Sequence, residues 1–298
     1  MPATSRLSDA QIAEMTTRYY AGDTTTALGF AFGIHRATVY DLLSTRGTQM
    51  RSRSEAKRVY PFREDAFANI LDERTAYWFG FLCADGCVIQ RRGTGEVHLV
   101  LQDRDAAHLE KFRAFLDTTA PIKSEKRYGT QRVSLYSARM VNDLISLGCT
   151  PRKSLSLPFP PLPQCFLPHF VRGYFDGDGS AMIAGRYQNP IIQFVGAPHF
   201  IVGLRDAVLQ GTNATGSTSQ HSTSSVIYAT YSGSFQASAV GVWMYEGASV
   251  WLDRKREKIK QFRQGKRRGY LTAHTYVGTA GNVSSETIRK YIEAQKGV

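Results

Sequence analysis

Two stretches decide the fold: WFGFLCADG at residues 78–86 and VRGYFDGDG at residues 171–179. Laid over one another they pair Gly80 with Gly173, Ala84 with Gly177, Asp85 with Asp178 and Gly86 with Gly179. A glycine inside an apolar helix costs about 1 kcal/mol relative to alanine, so Gly80 and Gly173 need a compensating reason. Close approach supplies it. Gly80 with Ala84, and Gly173 with Gly177, put small residues one turn apart on one helix face, where two backbones can pack against each other. The two helices are therefore expected to form a pseudo-twofold interface. Gly86 and Gly179 are expected to take the left-handed position that ends each helix.

Self-similarity extends outward from these stretches. QDRDAAH at residues 102–108 matches QFVGAPH at 193–199, pairing Gln102 with Gln193 and His108 with His199. His108 lies 23 residues beyond Asp85 and His199 lies 21 beyond Asp178. PRKS at 151–154 matches DRKR at 253–256. Each half reads as helix, hairpin, helix, hairpin, helix. In the first, Val97, Leu99 and Leu101 alternate with Glu96, His98, Val100 and Gln102 at the period of a half-buried strand after a turn at residues 91–95. A helix over 104–116, a hairpin of 122–127 with 131–137 and a closing helix over 139–147 follow. The second half repeats this through 180–185, 190–196, 198–209, 225–231 and 234–245. The fold class is α+β, with two pseudo-symmetric αββαββα repeats joined through the motif helices.

Residues 8–47 read as a small all-α unit with the periodicity of a helix-turn-helix: Ile12, Met15 and Tyr19, then Ala27, Leu28 and Ala31, then Val39, Leu42 and Leu43. Its third helix is expected to present Arg36, Thr38, Tyr40 and Asp41 outward, suited to a major groove. The domain reading is a helix-turn-helix at 1–47, a basic linker at 48–70, repeats at 71–157 and 165–264, and a Pro-rich linker at 158–164. A basic tail at 265–298 has a short helix over 283–294.

The chain has 298 residues and a net charge of +12, with nine basic residues against Asp253 and Glu257 between positions 251 and 270. A polyanionic partner fits this balance. The four cysteines, Cys83, Cys87, Cys149 and Cys165, show no CxxC pair and no zinc-finger spacing, and suit a reducing cytosol. No apolar run approaches the roughly 18 residues of a membrane span, and the N-terminus lacks a signal core. A cytoplasmic protein of bacterial, phage or organellar origin is expected, from a free-standing reading frame.

Asp85 and Asp178 fall where the helix dipole is negative, which disfavours a carboxylate, and pairing them across a tight interface adds repulsion. A hard divalent cation relieves both, since Mg²⁺ takes one or two carboxylates plus phosphate oxygens and water. FDGDGSA also suggests a calcium loop, but Ala181 stands where an EF-hand requires glycine and Tyr187 where it requires glutamate.

On these duplicated motifs and their matched flanks, the chain resembles the LAGLIDADG homing endonucleases in their single-chain, two-motif form, over roughly residues 75–263. Cys83, where the family usually has its first acid, and Arg172, in place of a small residue, depart from the pattern. The resemblance implies a metal-dependent endonuclease that binds double-stranded DNA as a monomer with internal pseudosymmetry and cuts one phosphodiester per strand of a long asymmetric target. It makes Asp85 and Asp178 catalytic acids and metal ligands, with the carbonyls of Ala84 and Gly177 facing Mg²⁺, for which Mn²⁺ or Ca²⁺ would substitute in binding. The metals would activate water and stabilise the departing 3′ oxygen. Lys153 and Lys255, in the matched RK pairs, are candidates for stabilising phosphate charge.

The strand face opposite Val97, Leu99, Leu101, Val133 and Leu135 presents His98, Gln102, Arg132, Ser134 and Tyr136, with Gln193 in the second half, as base-reading groups. Arg91, Arg92, Lys126, Arg127, Arg186 and Gln188 at the turns extend contact along the duplex. Two other functions share the scaffold: a non-cleaving transcriptional regulator, against which both retained acids argue, and an RNA maturase, against which the helix-turn-helix argues.

Overall fold

A computed structural model describes residues 7–51, 60–220 and 225–264, in two compact units, Met1–Arg58 and Val59–Val298. Among the described residues there are ten α-helices and eight strands.

In the first unit, α1 (Asp9–Tyr20) starts at a capping box of Ser8 and Gln11. The second helix, α2 (Thr25–Phe32), is capped by the Thr24 side chain and stopped by Gly33 in the left-handed conformation. The third, α3 (Arg36–Thr45), follows after three residues. Met15, Tyr19, Leu28, Val39 and Leu43 close the core, and Arg36, Thr38, Tyr40 and Asp41 are exposed. Packing continues past Gly47, into the stretch that reads as linker. Thr48 is buried, and the Arg51 guanidinium lies 4.3 Å from the Tyr19 ring centroid while donating to the carbonyls of Gly22 and Asp23. Arg51 is thus committed to its own unit. The next basic residues of that stretch, Arg53, Lys57 and Arg58, lie outside the described residues.

The second unit begins earlier than composition suggests. Phe67 and Ile70 are fully buried and Phe62 packs against the same core; without a helix or strand period, their burial leaves no pattern to read. Then α4 (Glu73–Ala84), capped by Asp72, buries every residue from Thr75 to Cys83. The chain continues through β1 (Gly86–Arg91), β2 (Thr94–Gln102), α5 (Ala107–Leu116), β3 (Lys123–Glu125), β4 (Thr130–Tyr136) and α6 (Ala138–Ser146). The second half runs α7 (Leu167–Asp178), β5 (Ser180–Ala184), β6 (Asn189–Gly196), α8 (Pro198–Thr212), β7 (Ser217–Ser219), β8 (Ile227–Ser232) and α9 (Gly233–Tyr245), followed by α10 (Asp253–Gln264). The two antiparallel sheets have matching orders, β1-β2-β4-β3 and β5-β6-β8-β7. This is the α+β duplication expected from the motif. The tail helix expected over 283–294 lies outside the described residues.

Register corrects the repeat alignment in one place. Cys87 pairs with His98 and Ser180 with Gln193. Since these partners directly follow Gly86 and Gly179, the counterpart of Gln193 is His98, and Gln102 sits four residues further along, at the strand end. His108 and His199 do match, each the second residue of its helix. Between strand and helix the first half inserts a 3₁₀ turn, Asp103–Asp105, where the second half has Ala197. This turn also starts α5 three residues later than the periodicity predicts.

Candidate active site

The paired helices α4 and α7 touch through backbone. A Cβ on Gly80 would lie 2.1 Å from the Phe170 carbonyl oxygen, and one on Gly173 would lie 1.9 Å from that of Tyr77. Neither position admits a side chain. Gly86 and Gly179 are required for a different reason from the one expected. Neither has positive φ, but a Cβ on Gly86 would come within 2.7 Å of Leu82 and one on Gly179 within 2.2 Å of Phe175. The chain turns from helix to strand too tightly for a side chain.

That crossing brings the two acids to one end of the helix pair. A Cβ on Gly177 would meet Ala84 Cβ at 2.3 Å and the Asp85 carboxyl carbon at 3.5 Å, so Asp85 lies against the residue that precedes Asp178. Both acids present surface to solvent, yet protein crowds their carboxyls. Partial burial, with repulsion from Asp178 second, pushes Asp85 up to about 6. Burial raises Asp178 as well, opposed by Lys255 and Lys153. Beside Asp178 a cavity of about 160 Å³ is lined by Lys153, Cys83, Ala84 and Tyr174 among others.

The two lysines of the RK pairs converge here. Lys153, on a 3₁₀ turn (Lys153–Leu155), is buried and donates to the Gly86 carbonyl. Lys255, in the first turn of α10, is buried and donates to the carbonyls of Phe175 at 2.6 Å and Gly177 at 2.9 Å. Burial lowers it to about 8, with Asp176, Asp85 and Asp178 opposing. The Gly177 carbonyl, a candidate metal-facing atom, is thus already bound by an ammonium. Among the described residues no group of three or more His, Cys, Asp or Glu side chains could hold a metal ion. Two crowded carboxylates remain as donors, a set that suits a hard divalent cation completing its shell with phosphate and water.

A buried network beneath the acids has no counterpart in the sequence reading. Asp176 accepts from Tyr77 Oη at 2.8 Å, Tyr245 Oη at 2.5 Å and the Leu252 amide at 2.7 Å. Tyr77 spends its proton on Asp176, so it accepts from His108 Nε2 at 2.8 Å. Burial holds His108 neutral, pushed down to about 3. Arg172, the departure in the second motif, is fully buried and donates to Glu73, Met244 O and Val250 O at 2.7, 2.7 and 3.0 Å. It ties α7 to α4 and to the loop before α10.

The other candidate residues spread over the sheets and turns. Arg91, Arg92, Lys126, Arg127, Arg186 and Gln188 are exposed at the hairpin ends, and Gln102 and Tyr136 are exposed at strand ends. His98 and Arg132 are half-buried and held together: Arg132 donates to Glu96 at 3.0 Å and Ser134 at 3.0 Å, and lies 3.2 Å from His98 Nδ1. Gln193 donates to Thr230 Oγ1 at 3.1 Å.

The chain is similar in structure to several LAGLIDADG homing endonucleases. I-SmaMI bound to cleaved DNA matches 77% of this chain and 97% of its own, with TM-score 0.46 and 13% identity. I-LtrWI bound to target DNA matches 76% and 98%, with TM-score 0.45 and 11% identity. I-AabMI bound to uncleaved DNA matches 63% and 89%, with TM-score 0.43 and 11% identity. No protein-family profile matches the chain, and no curated protein matches it in sequence. Among the described residues no helix is long and apolar enough to cross a membrane.

Proposed function

We propose that this protein is a LAGLIDADG-type DNA endonuclease: a site-specific phosphodiester hydrolase that acts as a monomer on double-stranded DNA, with Asp85 and Asp178 as its catalytic acids. The observation that carries the reading is the backbone-close crossing of α4 and α7, which sets two carboxylates together with two buried lysines whose charges act on both. A structural pair of acids would be neutralised by hydrogen bonds, as Asp176 is. Asp85 and Asp178 instead remain open to solvent and repel one another, a costly arrangement that a cation and a phosphate would relieve.

Mg²⁺ held by Asp85 and Asp178 would supply Lewis acidity and a water of lowered pKa. The chain's own residues do the rest. The acids fix the ion's place, and Lys153 and Lys255 keep two positive charges within the site's low-dielectric wall, where charge on a phosphate counts for more than in bulk water. Overall the water oxygen bonds to phosphorus, the P–O3′ bond breaks and the 3′ oxygen leaves with a proton. The two sheets lie on the duplex through their polar faces, the turn cations contact phosphates, and the first unit, read as a helix-turn-helix, adds affinity through Arg36 and Thr38. Incubation with Mg²⁺ and a randomised duplex library, then sequencing of the cut ends, tests this. Cut ends at one asymmetric site, absent under chelator and in the Asp85→Asn, Asp178→Asn double variant, are expected. Cutting that survives the double variant sinks it.

A further inference from the structure

The segment that carries Lys255 is fastened to the opposite half through Lys111 and Asp105 and to its own half through Asp176. Lys111, in α5 of the first half, donates to the Trp251 carbonyl and to both carboxylate oxygens of Asp253, each at 2.9 Å. The carboxylate of Asp105, in the inserted 3₁₀ turn of the first half, is only 9% exposed and accepts from Arg254 Nε through both oxygens at 2.9 Å. Leu252 donates its amide to Asp176, and the Arg256 guanidinium lies over the Trp251 ring at 3.3 Å. Lys255 follows Arg254 directly, so where its ammonium stands depends on how these neighbours are held. In the first half Lys153 rides on a single 3₁₀ turn whose neighbours Arg152 and Ser154 are exposed. Asp105 belongs to the insertion that the second half lacks.

We infer that Asp105 and Lys111 are positioning residues: they hold the start of α10, and hence Lys255, over one of the two cleavage centres, so that the first half tunes the cutting of one DNA strand. The inference rests on the endonuclease reading. Neither residue needs to touch DNA for it. The insertion that creates Asp105 occurs once in a duplicated chain, so its effect falls on one strand.

The test uses the full-length protein, a supercoiled plasmid carrying a site selected from the randomised library, and Mg²⁺, with each strand end-labelled. Lys255→Met identifies the strand that depends on Lys255. Asp105→Asn and Lys111→Met should each slow that same strand about tenfold and the other less than about threefold, so nicked circles accumulate. Combining Asp105→Asn with Lys255→Met should slow it no further than Lys255→Met alone, because the two act through one group. Duplex binding in Ca²⁺ should stay within about twofold of the unaltered protein. Hydrogen exchange at the amides of residues 252–256 should speed up in both positioning variants, a readout independent of cutting. Lys111→Arg should restore the strand balance. Equal slowing of both strands, an effect on the opposite strand, or unchanged exchange and strand ratio overturns the inference and leaves the endonuclease reading standing. An unaltered protein that cuts no library member overturns both.

Discussion

At the second residue of the motif, Phe79 in the first half and Arg172 in the second are both fully buried. One position has been filled in two ways. Phe79 packs its ring at a tilt against Phe170, 5.4 Å between centroids, and Arg172 spans to Glu73, Met244 and Val250. At the next residue the halves are identical: Gly80 and Gly173 each meet the partner helix's backbone. Symmetry is kept where backbone meets backbone, because only glycine fits. It is lost one residue away, where different side chains fill equivalent space. The same contrast holds further out, between the exposed turn bearing Lys153 and the fastened helix bearing Lys255.

The largest expected effect falls where the halves agree. Asp85→Asn with Asp178→Asn should lower double-strand cleavage by at least about a thousandfold, the loss of several kcal/mol of charge stabilisation. Duplex binding should survive. Each single variant, followed strand by strand on denaturing gels, sharpens the comparison: equal losses on both strands would mean that the acids serve a shared centre, and unequal losses that each serves its own.

Stability distinguishes the halves next. Arg172→Met leaves Glu73 without its guanidinium partner and strips two buried carbonyls, and should cost about 3–5 kcal/mol. Phe79→Leu at the equivalent position keeps an apolar side chain of nearly the same volume and should cost less than about 1.5 kcal/mol. Gly80→Ala and Gly173→Ala force backbone apart and should each cost about 1–3 kcal/mol, with similar values. Denaturant melts of the four variants measure this. A Phe79→Leu loss as large as that of Arg172→Met would break the claim that the departure in the second motif is a built tie.

The duplication, the crossing helices, both acids and both lysines were legible because each leaves a local mark: a glycine in an apolar helix, a repeated RK pair, an acid before a final glycine. The ties that fix Lys255 were not. Asp105 to Arg254 and Tyr77 to Asp176 join residues about a hundred or more positions apart, and no period or spacing encodes such a pair. The insertion did leave a trace, since QDRDAAH carries two aspartates where QFVGAPH has none. Matching the two by their shared Gln and His instead hid the 3₁₀ turn and misplaced Gln102. Arg172 was visible as a departure from the pattern, but its role needed the loop at Val250 to be seen beside it.

The pH dependence gives a smaller effect. The folded pKa of Asp85 stands near 6, above the roughly 3.9 of an unfolded aspartate. Protonated Asp85 therefore favours the folded state relative to the ionised form. The penalty is absent below about pH 4, grows from there to about 6 and is complete above it. Asp85→Asn should accordingly raise the melting temperature at pH 8 and leave it nearly unchanged at pH 4. Mg²⁺ should raise the melting temperature of the unaltered protein more at pH 8 than at pH 5, and this gain should shrink in Asp85→Asn. A metal effect independent of both pH and Asp85 would separate the ion from this acid.

The smallest effect sets the polar faces of the sheets against their turns. Arg132 is already paired with Glu96 and bonded to Ser134, whereas Lys126 is exposed at the turn before β4. A cation that neutralises a phosphate contributes about 0.9 to the slope of log affinity against log salt, because it releases condensed counterions. Lys126→Ala should lower that slope by nearly this amount and weaken binding to all duplexes alike. Arg132→Ala should change it much less, since removing Arg132 also frees Glu96 and the guanidinium's charge is largely spent inside the protein. Its effect should appear instead as altered preference at a few base pairs, through the release of His98. Salt titrations of both variants on one duplex decide this. A full unit of slope lost on removing Arg132 would show that Glu96 gives the arginine up to phosphate when DNA arrives, and that this face of the first sheet is rebuilt on binding.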